Sequence, residues 1–206
     1  MPTKRDTMAV DIVLLLPPRI TNLALQINRS LETTDKPIIK LGRLTCVPHI
    51  TLVMGCIPAT ALPSLKRSLR TLARRQSSLP LTITALASQP SKPGNKIYTL
   101  NIAKNDDLQM FHEQVVALIQ PYTTLRATVT SLHPNAPPDP VAAKWVNNYI
   151  KTGSLANYWP HITVGMGRIK TKLPSPVSFT AARLGLCHIG HVGTCYRLLW
   201  QSRLKK

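Results

Sequence analysis

The chain has 206 residues, 44% of them hydrophobic, and 26 Lys or Arg against 8 Asp or Glu give it a formal net charge of +18 and a pI near 10.4. That length buries a sizeable core in one or two compact units, and the composition excludes an intrinsically disordered chain. A membrane-spanning helix is also excluded, because the apolar run at residues 12–18 is seven residues long, where a bilayer needs about twenty.

Residues 10–16 are predicted as a buried strand stopped by Pro17 and Pro18. They read as the first strand of the fold and not as a targeting peptide, since Asp11 interrupts the run and no small-residue cleavage site follows. Ile20, Leu23, Leu25, Ile27 and Leu31 predict a helix packed on that strand. Residues 44–57 are apolar and β-branched and stop at Gly55 and Pro58, which predicts a second strand. Next, Leu62, Leu65, Leu69 and Leu72 fall on one helical face with basic residues opposite. Residues 81–87 and 97–103 alternate as strands. The polar loop at 89–95 between them is the expected boundary between two lobes of one domain, at about residues 9–90 and 91–206.

The second half repeats the plan. Asp106 or Asp107 is expected to cap a helix bearing Leu108, Phe111, Val115, Leu118 and Ile119. A strand-like run at 128–132 precedes the sequence HPNAPPDP at 133–140, whose prolines exclude regular structure and which, with the helix after it, could form a lip over a binding groove. A short helix at 141–150, a strand at 162–166 and a closing hairpin of 178–186 with 194–202 complete the reading.

The eight acids leave residues 36–105 and 140–206 free of carboxylates, and 21 of the 26 basic residues fall there. Cations that are not cancelled locally suit phosphate binding, and with no run of five Lys or Arg they belong to a folded surface and not to a tail. Cys46, Cys56, Cys187 and Cys195 are too few for a disulfide scaffold and form no CxxC pair. A reducing compartment, the cytoplasm, is therefore expected. Cys187, His188, His191 and Cys195 fall within nine residues, but their spacing fits no common zinc pattern and alternation along a hairpin would spread them. A reduced, partly buried hairpin is expected there, and His112, beside Glu113, is expected on a solvated helix face.

One feature carries chemistry. The tetrapeptide PHIT occurs twice, 112 residues apart, as His49-Ile50-Thr51 and His161-Ile162-Thr163, each behind a proline and each running to a glycine, Gly55 and Gly167. Side chains alternate along a strand, so His49 and Thr51 share one face while Ile50, Leu52 and Met54 share the other, and His161 and Thr163 are likewise separated from Ile162 and Val164. Two imidazoles across a groove supply a general acid and a general base near neutral pH, and two hydroxyls can donate to phosphate oxygens. No carboxylate cluster suits a divalent metal, and no cofactor is expected.

These paired motifs, His49-Ile50-Thr51-Leu52 and His161-Ile162-Thr163-Val164, resemble those of the 2H phosphoesterase superfamily, which includes 2′-5′ RNA ligase-like proteins and 2′,3′-cyclic phosphodiesterases. The resemblance implies a two-lobed α+β fold with pseudo-twofold symmetry, two antiparallel sheets flanking a central groove, helices on the outer faces and one motif per sheet. It implies His49 and His161 as the catalytic pair and Thr51 and Thr163 as phosphate ligands. The expected activity is hydrolysis of a terminal 2′,3′-cyclic phosphate on RNA by a monomer. The alternatives are a 2′-5′ phosphodiesterase or ligase, a cyclic-oligonucleotide hydrolase, and a non-catalytic RNA-binding module. Trp159, two residues before His161, is expected to stack on a base, with Tyr158 as the alternative, and Arg43 and Arg168 border the motifs as candidate phosphate contacts.

Overall fold

The computed structural model describes residues 7–33, 39–90, 96–169 and 176–205. β1 (Thr7–Leu15) is buried from Ala9 to Leu15 and is covered on both faces, Ile12 and Leu14 by the main core and Val13 and Leu15 by a smaller cluster, which explains a run that is apolar instead of alternating. It pairs antiparallel with β2 (His49–Pro58) and β7 (Arg183–Ile189), and β8 (Cys195–Arg203) completes the order β2-β1-β7-β8. The second sheet, with the order β5-β4-β3-β6, is built from β3 (Leu79–Pro90), β4 (Lys96–Ile102), β5 (His161–Gly167) and β6 (Val177–Ala181). The motif strands β2 and β5 are edge strands, and the two sheets meet along them.

Among the described residues four α-helices cover these sheets. Helix α1 (Pro18–Arg29) starts on a proline, whose missing N–H costs nothing in a first turn, and buries Ile20, Ala24, Leu25 and Ile27. In α2 (Leu62–Arg75), Leu65, Leu69 and Ala73 are buried against β7 and β8 while Arg67, Arg70, Arg74 and Arg75 face solvent. The cap of α3 (Asp106–Ile119) is Asn105 and not either expected aspartate: its side-chain oxygen accepts the Leu108 N–H at 2.8 Å, and Asp106 and Asp107 occupy the first turn, where negative charge suits the helix dipole. Asp139 caps α4 (Pro140–Thr152), accepting the N–H groups of Val141 and Ala142, and α4 packs on β2.

Strand registers expose the pseudo-twofold relation. His49 pairs with Leu15 and Thr51 with Val13; Leu52 is then skipped and Val53 pairs with Ile12. His161 pairs with Asn101 and Thr163 with Thr99; Val164 is skipped and Gly165 pairs with Tyr98. The same bulge therefore falls three residues after each histidine. A bulge shifts the alternation by one residue, and Met54, expected on the core face with Leu52, instead lines the groove.

The topology corrects three other expectations. The proposed boundary at about residue 90 falls within one sheet: β3 pairs with β4 across it, and β7 returns from the end of the chain to pair with β1, with β8 on its outer side. The expected long strand of the closing hairpin divides at Ala182 into β6, which joins the second sheet, and β7, which joins the first. The strand-like run at 128–132 is a 3-10 turn, Val129–Ser131, in which Thr128 and Ser131 cap each other's backbone.

Cys187 and Cys195 are not reduced: they form a disulfide, with Cα atoms 5.3 Å apart. Simple alternation would have separated them. Two register shifts in the β7–β8 pairing, at Leu186/Cys187 and His188/Ile189, bring both sulfurs to one face. There they pack with Val13 and Leu15, apart from the main core.

Candidate active site

Half-buried His49 and Thr51 alternate with Ile50 and Leu52, both fully buried, and the same holds for His161 and Thr163 against Ile162 and Val164. All four side chains line one groove that is open to solvent. Trp145 and Tyr149 of α4, residues 192–195 and Trp159 complete its walls. Of the expected lip, the helix α4 lines the groove and the loop at 133–140 that leads into it does not.

Each histidine is oriented by the same local device. His49 Nδ1 lies 2.7 Å from the Val47 carbonyl, and His161 Nδ1 lies 2.9 Å from the Trp159 carbonyl. A carbonyl only accepts, so Nδ1 carries the proton in both rings, and Nε2 is the nitrogen left for chemistry. The intervening Pro48 and Pro160 hold the residue before them extended, which sets the carbonyl that each ring uses.

The two rings differ in proton affinity. Burial disfavours a charge on His161; the bond to Trp159 opposes this, the charge of His49 adds to it, and the net pKa is lowered. Burial works against charge on His49 as well, but there the bond to Asp11, the Asp11 charge and the Val47 carbonyl outweigh it, so its pKa is raised. Asp11 is the residue that the sequence did not offer as a site candidate. Its Oδ2 lies 3.2 Å from His49 Nε2 and accepts the Thr51 hydroxyl at 2.8 Å. The only hint in the sequence is a charge inside an otherwise apolar strand.

Behind the motifs, a helix side chain holds each bulge. His112 on α3 donates from Nδ1 to the Leu52 carbonyl at 2.7 Å and accepts the Leu155 N–H on Nε2 at 2.8 Å. Asn28 on α1 donates to the Val164 carbonyl at 2.8 Å and also bonds the backbone of Ile39 and Leu41. His112 is thus fully buried and not solvated, because the bulge carbonyl needs a donor in a place water does not reach. Its ring stacks on Tyr158 at 3.8 Å, and the Tyr158 hydroxyl donates to the Thr51 carbonyl at 3.1 Å. Tyr158, expected as an alternative stacking residue in the groove, therefore braces the motif from the core side.

The bracing has a measurable cost. His112→Ala leaves a buried carbonyl and a buried N–H without partners and should destabilise the fold by about 2–4 kcal/mol. Burial lowers the pKa of His112, whereas the unfolded imidazole titrates near about 6.5. The contribution of the neutral ring to stability is full above that pH and is lost as the pH falls from it toward the lowered folded value, because the unfolded ring takes up a proton first. Urea unfolding at pH 7 and pH 5 should show the variant losing less stability on acidification than the parent; an equal loss contradicts the neutral, two-bond role.

Of the remaining candidates, Trp159 is 40% exposed and stacks on His161 with ring centroids 4.3 Å apart. Arg43 lines the adjoining cavity beside Pro17 and Arg183 instead of the motif groove, and donates to the Asn22 side chain. Arg168 is exposed just past β5, where its backbone exchanges two hydrogen bonds with Glu32. Among the described residues no three His, Cys, Asp or Glu side chains converge in a metal-binding group.

A family profile described as the 2′-5′ RNA ligase superfamily matches residues 41–186. The fold is also that of solved structures of low identity. TT0787 of Thermus thermophilus is 16% identical, with a TM-score of 0.61 and coverage of 96% of this chain and 98% of that one. E. coli LigT complexed with NADP+ is 14% identical, with a TM-score of 0.54 over 98% of this chain and 100% of that one. LigT complexed with phosphate is also 14% identical, with a TM-score of 0.51 over 98% and 99%. No curated protein sequence matches the chain.

Proposed function

The chain belongs to the 2′-5′ RNA ligase superfamily, whose profile spans residues 41–186, and we propose that it is a metal-independent phosphodiesterase that opens a terminal 2′,3′-cyclic phosphate on RNA. The observation that carries this reading is the placement of His49 and His161 on one groove with opposite shifts in proton affinity. In-line displacement at phosphorus needs one group that accepts the proton of the attacking water and another that donates to the leaving oxygen. Thr163 is the proposed donor to a non-bridging oxygen, where charge concentrates in the transition state, and Thr51, in the same groove, would join it by turning its hydroxyl from Asp11 Oδ2. LigT, which shares the fold, is found with phosphate bound. Trp159 is the proposed platform for the terminal base, its ring exposed beside His161.

An RNA end in place of a small cyclic nucleotide is favoured by the net charge of +18 and by the arginines that α2 exposes. Among the described residues no helix is long and apolar enough to cross a membrane. A monomer in the cytoplasm is proposed with this activity. The Cys187–Cys195 disulfide weighs against a reducing compartment, and because both cysteines are buried, acid-quenched cells are denatured before alkylation to decide the matter: both cysteines alkylated without prior reduction fits the cytoplasm, and neither alkylated overturns it.

The activity is tested by incubating the protein with EDTA and an RNA ending in a 2′,3′-cyclic phosphate, then typing the new end. A 2′-phosphomonoester is expected. Failure to turn over that end while cleaving 2′-5′-linked oligoadenylate moves the assignment to a 2′-5′ phosphodiesterase. Salt-sensitive RNA binding with no product at all makes the protein a binding module.

A further inference from the structure

The two motifs are alike in sequence and unlike in surroundings, and Asp11 is the difference. On β1, Asp11 stands opposite Met54, five residues after His49; on β4, the corresponding place opposite Met166, five after His161, holds Ile97. One side of the groove thus has a carboxylate where its pseudo-symmetric counterpart has a hydrocarbon. Asp11 is fully buried, while its partner His49 keeps 14% of its side chain exposed. Among the described residues His49 is the only group in salt-bridge range of Asp11. Among the described residues no Lys or Arg neutralises this acid.

Burial raises the carboxyl pKa of Asp11 against the bond and charge of His49 and the bond from Thr51, and the hydrogen-bond inventory indicates where the proton of the pair sits. Both nitrogens of His49 face groups that accept, the Val47 carbonyl and the Asp11 carboxylate. A neutral imidazole has one N–H and satisfies one acceptor, whereas imidazolium satisfies both. Thr51 donates its hydroxyl to the same Oδ2 and so favours the ionised carboxylate. The second carboxylate oxygen, Oδ1, is buried with no hydrogen-bond partner, which makes the charge on His49 the main compensation for burying this acid.

We infer that Asp11 is a positioning residue that keeps His49 as imidazolium, which makes His49 the proton donor to the leaving oxygen and His161 the base. The role assignment rests on the phosphodiesterase reading above. In that reaction Nε2 of neutral His161 takes a proton from water as the water oxygen bonds to phosphorus. The bond from phosphorus to the ribose 3′-oxygen breaks, and the Nε2 proton of His49 passes to that oxygen. A 2′-phosphomonoester leaves, and the two rings have exchanged protonation states, which solvent resets. At 3.2 Å the Asp11 contact is long for a charge-assisted bond, so the His49 N–H can be shared with an oxygen entering the groove.

The groups around Asp11 are His49 and Thr51 on β2, Tyr149 on α4 and Tyr158 ahead of β5. Burial, and then the Asp11 charge, raise both phenols, which stay neutral through the working range and leave the His49–Asp11 pair to titrate. Activity should rise with pH as His161 loses its proton, at a value below the ordinary histidine pKa, and fall again as His49 loses its proton, at a value above it.

The test is Asp11→Asn, which keeps the shape and removes the charge, with Asp11→Ser in reserve should the first fail to fold by circular dichroism. Two readouts are taken: the pH profile of kcat/KM, and the titration of each histidine ring followed by NMR. The His49 ring should titrate about one pH unit lower or more in the variant. The descending limb should move with it, the ascending limb should stay, and kcat should fall by about tenfold or more. An unchanged His49 titration, or movement of the ascending limb instead, overturns the inference. A merely structural role lowers activity at every pH and shifts neither limb, and that outcome overturns it too. If the parent protein turns over no cyclic phosphate, the phosphodiesterase reading falls, and the ring titration alone decides the Asp11–His49 pairing.

Discussion

His49→Ala and His161→Ala are each expected to lose about a hundredfold or more in kcat on an RNA ending in a cyclic phosphate, the low end for removal of a general acid or base. The loss should fall on the chemical step. Neither ring is needed to form the groove, whose walls come from β2, β5, α4 and residues 192–195, so KM should change little. The double variant should be barely slower than either single one, because groups acting in one transition state fail together. The two singles should differ in stability. His161→Ala gives up one bond, to the Trp159 carbonyl, whereas His49→Ala leaves Asp11 buried without its counter-charge, and Asp11 must take up a proton to compensate. Full activity in either single variant would remove that ring from the mechanism.

The second large effect is expected at Gly165. It follows the bulge residue Val164 on β5 and has φ +139, a conformation that side chains rarely adopt. A Cβ built there would lie 2.7 Å from Asn28 Nδ2 and 2.5 Å from Leu31 Cδ1. Asn28 cannot retreat without giving up its bonds to Val164, Ile39 and Leu41. Backbone strain and overpacking each cost about 1–3 kcal/mol, so Gly165→Ala should lose about 2–6 kcal/mol together. In a protein of this size that lowers Tm by roughly 5–20 °C. Activity measured well below the new Tm should fall too, since the displaced segment carries His161 and Thr163. Thermal unfolding within a degree or two of the parent contradicts the account of the bulge as a rigid support.

What the sequence discloses and what it conceals divide along physical lines. Period-two alternation is local, and spacing alone puts His49 with Thr51 and His161 with Thr163 on one face of each strand; in the structure all four line one groove. The strands themselves are legible for the same reason. Their partners are not, because pairing is set by contacts far apart in the chain: nothing in residues 183–203 signals that they join the sheet of β1 and not that of β6, the strand just before them. Bulges escape a pattern-based reading because they insert one residue without changing composition. That single shift moves Met54 onto the groove wall, and two shifts in β7–β8 join Cys187 to Cys195. His112, Asn28 and Asp11 escape it for a related reason. Their roles lie in satisfying atoms of other elements, a carbonyl at a bulge or an imidazole across a ladder. A polar residue at a core-facing position is the available signal in each case, and in the sequence Asp11 reads only as an interruption of an apolar run.

The central claim is that both motifs address a single phosphorus. Titrating inorganic phosphate into the protein while observing the ring signals of His49 and His161 by NMR tests it without assuming a substrate. Both rings should respond along one binding curve, with the same Kd and one phosphate per chain, and both responses should weaken together in the Thr51→Val/Thr163→Val double variant. Rings that respond with different constants, or one ring that responds while the other stays still, would mean that the two motifs serve separate sites.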